Sequence, residues 1–169
     1  MIPDSAWCER RAMFAQLVEG VPIRKTFNAA LAIAHVALER FRQPALSQEY
    51  VEDLAELRRL HVAAAVNPYL GRSRANAIAS RIWARRFPAW PMESVIPHEL
   101  ANVLRCACMC ATERADEEDD DEEATPPRPS LAREWLSATA HCAYDLLDYA
   151  RAEPALVLKA LERWRPPCP

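Results

Sequence analysis

Three cysteines within five positions, Cys106, Cys108 and Cys110, stand just ahead of eight consecutive acids, Asp116 to Glu123. Clustered thiols can hold a soft metal or act as nucleophiles, so their spacing is the first thing to weigh. On a helix Cys106 and Cys110, four apart, share a face, whereas Cys108 points roughly 160° away from Cys106. The three cannot close around one ion. A zinc site would need further ligands from elsewhere, with Cys142, next to His141, able to approach in a packed bundle. The reading favoured by spacing is that these thiols serve as small buried hydrophobes.

The four histidines, His35, His61, His98 and His141, fall on four different expected helices. That distribution is how a bundle-core metal site is built, from side chains projecting inward on facing helices. Their faces argue otherwise: His61 lies on an apolar stripe, His35 borders one, His141 falls on a polar side and His98 is in a first turn. No paired Glu-x-x-His motif is present. His141, Asp145 and Asp148 share one face at i, i+4 and i+7 and could form an acid/base or oxygen-ligand set, but on an outward face such a trio reads first as solubility. His98 and Glu99 resemble half of a zincin helix, with Asn102 where the second histidine belongs. With Gly20 and Gly71 the only glycines, phosphate-cradling loops and tight oxyanion turns have little to be made from. The expectation is therefore no cofactor, no metal and no enzymatic activity, with a helical metal protein kept as an alternative.

The basic candidate is the stretch GRSRANAIASRIWARRF, residues 71 to 87. Arg74, Arg81 and Arg85 fall on one side of it, with Arg72 and Arg86 nearby, and Trp90 follows among prolines as an anchor residue of the type concentrated in interfaces. Such a helix can lie on phosphates or grip an acidic partner. Arginine counts need discounting, because Lys25 and Lys159 are the only lysines among 21 basic residues. That bias marks a GC-rich genome, bacterial or of a large DNA virus. The acid run holds eight of the 24 acids, so charge is segregated along the chain. Tethered in the same molecule, the run has a high effective concentration for the arginine helix and could mask it.

What must position these residues is read from periodicity and proline punctuation. A first helix is expected from residue 4 or 5 to Val18, closed by Gly20, with Trp7, Phe14, Leu17 and Val18 inward. A second covers about 24 to 42 with Phe27, Leu31, Ala34, Leu38 and Phe41 as its stripe. A third runs from a Ser47 cap to about Val66, a fourth from Ser73 to Phe87, and a fifth from Pro97 to about Arg114, where like charges at the negative end of the helix dipole should fray it. Ser130 caps a sixth to about Ala152, and Pro154 opens a short seventh. The fold class is all-α: a compact single-domain bundle of six or seven helices over residues 1–169, with 115–129 a disordered acidic and proline-rich loop.

Residues 1 to 20 lack the apolar core of a secretory signal, and no segment reaches the ~20 apolar residues of a membrane span. The chain reads as cytoplasmic or otherwise intracellular, in a reducing compartment. By exclusion, its expected role is a non-enzymatic protein–protein interaction module, regulatory or inhibitory, binding another protein, a peptide or a second copy of itself through a groove or the arginine-rich face. A nucleic-acid-binding regulator using residues 72 to 86 is the rival. Helical host-defence and apoptosis modulators of the Bcl-2 type resemble it in size and helix count, although the Asn-Trp-Gly-Arg signature of many of them is missing; this likeness is one of architecture alone.

Overall fold

Proline and serine set where several of the helices begin. In the computed structural model, which describes residues 5–41, 44–64, 68–89, 95–117 and 130–165, seven α-helices follow one another: α1 (Ser5–Glu19), α2 (Thr26–Arg40), α3 (Pro44–Ala64), α4 (Pro68–Ala89), α5 (Val95–Glu117), α6 (Leu131–Tyr149) and α7 (Ala155–Glu162). A 3₁₀ turn (Ile23–Lys25) leads into α2. Among the described residues there is no strand, and none of the described helices is long and apolar enough to cross a membrane.

The helices differ from expectation mainly at their ends. α3 and α4 start at Pro44 and Pro68, because proline at the first helical position gives up an amide that has no partner there anyway. Both therefore begin several residues before the expected starts at Ser47 and Ser73. α5 continues through Ala115 and Asp116 to Glu117, past the expected fraying point. A dipole penalty of a few tenths of a kcal/mol does not overcome the helix propensity of Ala and Glu. The expected loop thus loses its first three residues to the helix, and 118–129 lie outside the described residues.

Ser130 does cap α6: its hydroxyl accepts the Arg133 amide at 3.1 Å, and Glu134 adds favourable charge to the first turn. The other end of α6 closes through two hydrogen bonds, Arg151 N–H to the Asp148 carbonyl at 3.0 Å and Ala152 N–H to the Leu147 carbonyl at 2.8 Å. That pairing needs a left-handed residue after the cap, a position usually given to glycine. Here Arg151 takes it, at φ 55°. Gly20, which follows α1, is not left-handed; an added Cβ there would meet Arg165 Nε at 3.1 Å.

α2 and α5 lie at the centre. α5 packs against α2, α3, α4 and α6, while α2 packs against α3, α5, α6 and α7; α1 rests on α6. Four of the five stripe residues expected on α2, Phe27, Leu31, Ala34 and Leu38, are buried, while Phe41 follows the helix end and is half-buried. Ala29, Ala30 and Ala37 are buried as well, so α2 is covered on more than one side, and its small side chains let neighbours approach closely. The same enclosure acts on α5. Cys106, Cys108 and Cys110 are all buried, although they cannot share a face, because α6 covers one flank and α3 and α4 another. Leu57, Ile78, Leu104, Leu136 and Leu147 complete the interior.

Candidate functional site

α1 is held on α6 by rings and by charge. Trp7 and Phe14 of α1 flank His141 of α6, with ring centroids 5.3 Å and 6.0 Å away, and Phe14 meets Tyr144 edge-on at 5.7 Å. Arg10 Nε donates to Asp145 Oδ1 at 2.9 Å, while Asp145 Oδ2 lies 3.1 Å from His141 Nε2. The second distance is short enough for an ion pair, yet the N–H does not point along it, and His141 Nε2 has no hydrogen-bond partner. Distance and alignment disagree here, and alignment decides whether a hydrogen bond exists.

His141 is 7 % exposed, which corrects the expectation of a polar, outward side. Its stretch of α6 looks amphipathic with His141 outside, but α1 folds over that flank and supplies the aromatic wall. Burial pushes the His141 imidazole below its usual range, the Arg10 and Arg11 guanidiniums push the same way, and Asp145 opposes them. The ring is held neutral near pH 7. Asp145 is half-buried in the same cluster, whereas Asp148 is exposed, so the expected trio divides into a buckled pair and a solvated carboxylate.

Beside this buckle runs a groove between α1 and α6, bordered by Glu99 of α5, with a volume of about 1170 Å³. Val18, Ala138 and Leu146 give it an apolar floor, and Trp7 and Tyr149 add aromatic walls. Tyr149 is 66 % exposed. Arg11 lies over the Trp7 ring, 5.4 Å from its centroid. Glu19, Glu99 and Glu134 line the groove along with Arg11 and Arg133, and Arg133 Nε is committed to the Val21 carbonyl at 3.0 Å.

Ser137 lines the groove too, one turn before His141, giving Ser137, His141 and Asp145 at i, i+4 and i+8 along one helix face. Sequence reading passed over this spacing because it grouped His141 with Asp148. Nucleophilic catalysis would need Ser137 hydrogen-bonded to the imidazole and amide donors free to meet an oxyanion. The amides of an interior turn are already used within the helix.

Of the expected basic face, Arg81 is paired within the bundle. Arg81 Nη2 donates to Glu56 Oε2 at 2.6 Å and to Asp53 Oδ1 at 3.3 Å, so its charge is met by two carboxylates of α3. Both partners push the Arg81 pKa further up, Glu56 foremost. Arg74 is exposed. Arg72, Arg85 and Arg86 belong to α4, but their side chains, with those of His61 and His98, lie outside what is described, as does Trp90 entirely. Masking of the arginine helix by the acid run likewise rests on residues outside the described ones.

The thiols separate by flank. Cys110 Sγ donates to the Ala132 carbonyl at 3.4 Å on the α6 side, and the Cys142 side chain of α6 draws the Cys106 thiol below its ordinary range against the effect of burial. Cys108 faces away from these, towards the side of Asp53 and Arg81, and burial drives its thiol far up. Among the described residues no three His, Cys, Asp or Glu side chains come together so that they could hold a metal ion.

Fold and groove together define, among the described residues, a bundle of seven α-helices with an amphipathic cleft beside a ring-and-charge buckle. No protein-family model matches the chain, and no curated protein or solved structure is significantly similar to it.

Proposed function

We propose that the protein is a non-enzymatic, regulatory or inhibitory interaction module whose α1–α6 groove takes an amphipathic helix of a partner protein, with lysine or arginine flanking that helix's apolar stripe. The observation that carries this reading is the groove itself. At about 1170 Å³ it exceeds the ~300–1000 Å³ usual for small-molecule sites. Val18, Ala138 and Leu146 supply apolar surface on its floor, which suits apolar anchors at helical spacing. Glu19, Glu99 and Glu134 give it more carboxylate than the two guanidiniums of Arg11 and Arg133 can balance, and this favours a cationic occupant. Trp7 and Tyr149 are of the residue types that dominate binding hot spots. The arginine-rich face is the weaker support, since Arg81 would have to leave Asp53 and Glu56 before gripping phosphate or an acidic segment.

The test is a titration of matched cationic and anionic amphipathic helical peptides into isotope-labelled protein. Cationic peptides should bind and shift the signals of Trp7, Ala138 and Tyr149, and Ala138→Trp, which fills the groove, should weaken them by about tenfold or more, or about 1.4 kcal/mol. Equal binding to the A138W variant, or shifts confined to α4, would overturn the reading. Perturbation of the same residues by protein concentration alone assigns the groove to a second copy of the chain. Binding of DNA that falls steeply with salt and needs Arg74 supports the nucleic-acid alternative.

A further inference from the structure

We propose that His141 is an acid-sensitive latch: protonation of its ring releases the first turns of α1 from α6 and so removes one wall of the groove. The latch rests on side chains that meet across the two helices. The Trp7 and Phe14 rings lie 5.3 Å and 6.0 Å from the His141 ring. Asp145 holds Arg10 Nε at 2.9 Å through Oδ1 and keeps Oδ2 3.1 Å from His141 Nε2, a nitrogen with no hydrogen-bond partner. One carboxylate thus stands between two basic side chains on different helices, and only Arg10 is charged while the ring is neutral.

The far end of α1 is fastened separately. From Ser5 to Ala12 no residue is fully buried, whereas Phe14 and Val18 are sunk in the core. Beyond them the chain is tied at Val21, whose carbonyl accepts Arg133 Nε of α6 at 3.0 Å. The Trp7 ring and the Arg10 ion pair fasten the first two turns to α6, so these turns can lift while the rest stays docked. Trp7 and Arg11 of the same turns line the groove beside His141 and Asp145.

In the docked form the imidazolium is disfavoured by burial and by Arg10 and Arg11, and it is favoured by Asp145. Among the described residues these are the charges that act on the ring; Glu99 of α5 lines the same groove, and α2 and α7, also packed on α6, add none. When α1 lifts, the ring meets water, both guanidiniums withdraw, and Asp145 exchanges Arg10 for the imidazolium one turn away. The released form therefore holds the proton more tightly than the docked form, and by linkage acid favours release. α1 stays docked above about pH 6.5 and is let go as pH falls towards the lower value of the docked ring. Within that window the released fraction rises by up to about tenfold per pH unit.

The experiment follows amide hydrogen exchange in the full chain, isotope-labelled, at about pH 7.5, 6.5 and 5.5, with intrinsic exchange rates divided out. Amides from Glu9 to Ala12 should lose about fivefold to tenfold in protection across this series, while amides within α2 and α5 keep theirs. His141→Gln, neutral throughout, should keep α1 protected. Should that variant fail to fold, the comparison of α1 with α2 and α5 in the wild type decides. Unchanged protection of α1, loss in step with α2 and α5, or the same loss in H141Q would each overturn the latch. That a bound cationic helix holds α1 down rests on the groove reading proposed above. A cationic peptide that binds at about pH 7.5 yet leaves acid release unchanged counts against that reading, since exchange in the free protein decides the latch.

Discussion

His141 Nε2 lies 3.1 Å from Asp145 Oδ2 and makes no hydrogen bond with it. Two residues one turn apart on α6 are drawn together by the helix, but the ring plane is set by Trp7 and Phe14 rather than by the carboxylate. Asp145 spends its better-aligned oxygen on Arg10 of α1. The buckle is therefore built for packing α1 onto α6, and it leaves a buried nitrogen unsatisfied, a cost of about 1–3 kcal/mol in comparable cases.

A pH dependence follows from this arrangement. The folded pKa of His141 is depressed below 6.5, so between the folded and unfolded values the unfolded chain binds a proton that the native state does not. Stability is complete above about pH 6.5 and falls as pH drops through that window towards the depressed value. Melting temperature measured from pH 7.5 to 5 should decline in the wild type and decline less in His141→Gln. Parallel profiles for the two proteins would show that another group carries the acid sensitivity.

Arg151 offers a backbone test. It holds φ 55° in the closing turn of α6 and is exposed, a conformation that costs a side-chain-bearing residue on the order of 1 kcal/mol relative to glycine. Arg151→Gly should stabilise the protein by up to about 1 kcal/mol, a rise of about 2–4 °C in melting temperature for a chain of this size. A fall instead would mean that contacts of the arginine side chain outweigh the strain.

The Arg81 pairing separates a structural role from a nucleic-acid role. Asp53 is only 5 % exposed at its side chain, and removing its cation leaves a buried carboxylate less compensated. Arg81→Ala should therefore cost about 1–3 kcal/mol in chemical denaturation, more than the usual worth of an exposed ion pair. Asp53→Asn in the same background should recover part of the loss. Wild-type stability in R81A would return Arg81 to the pool of free surface charge.

Some of this architecture is written in local chemistry. The proline at 154, the Ser130 cap and the Phe27-to-Leu38 stripe each act within a turn or two of helix, where sequence neighbours are spatial neighbours, so helix class and order could be read directly. What a residue faces beyond its own helix is a long-range property. Periodicity identifies one apolar stripe, but α2 and α5 are enclosed by several helices, and so Cys106, Cys108 and Cys110 are all buried despite pointing apart. His141 reads as polar until α1 folds over it, and Arg81 reads as free until α3 brings Asp53 and Glu56 alongside. The chain alone determined which segments coil and in what order; tertiary packing alone decided which charges are spent, which thiols are enclosed and where a groove remains, because those depend on contacts between residues tens of positions apart.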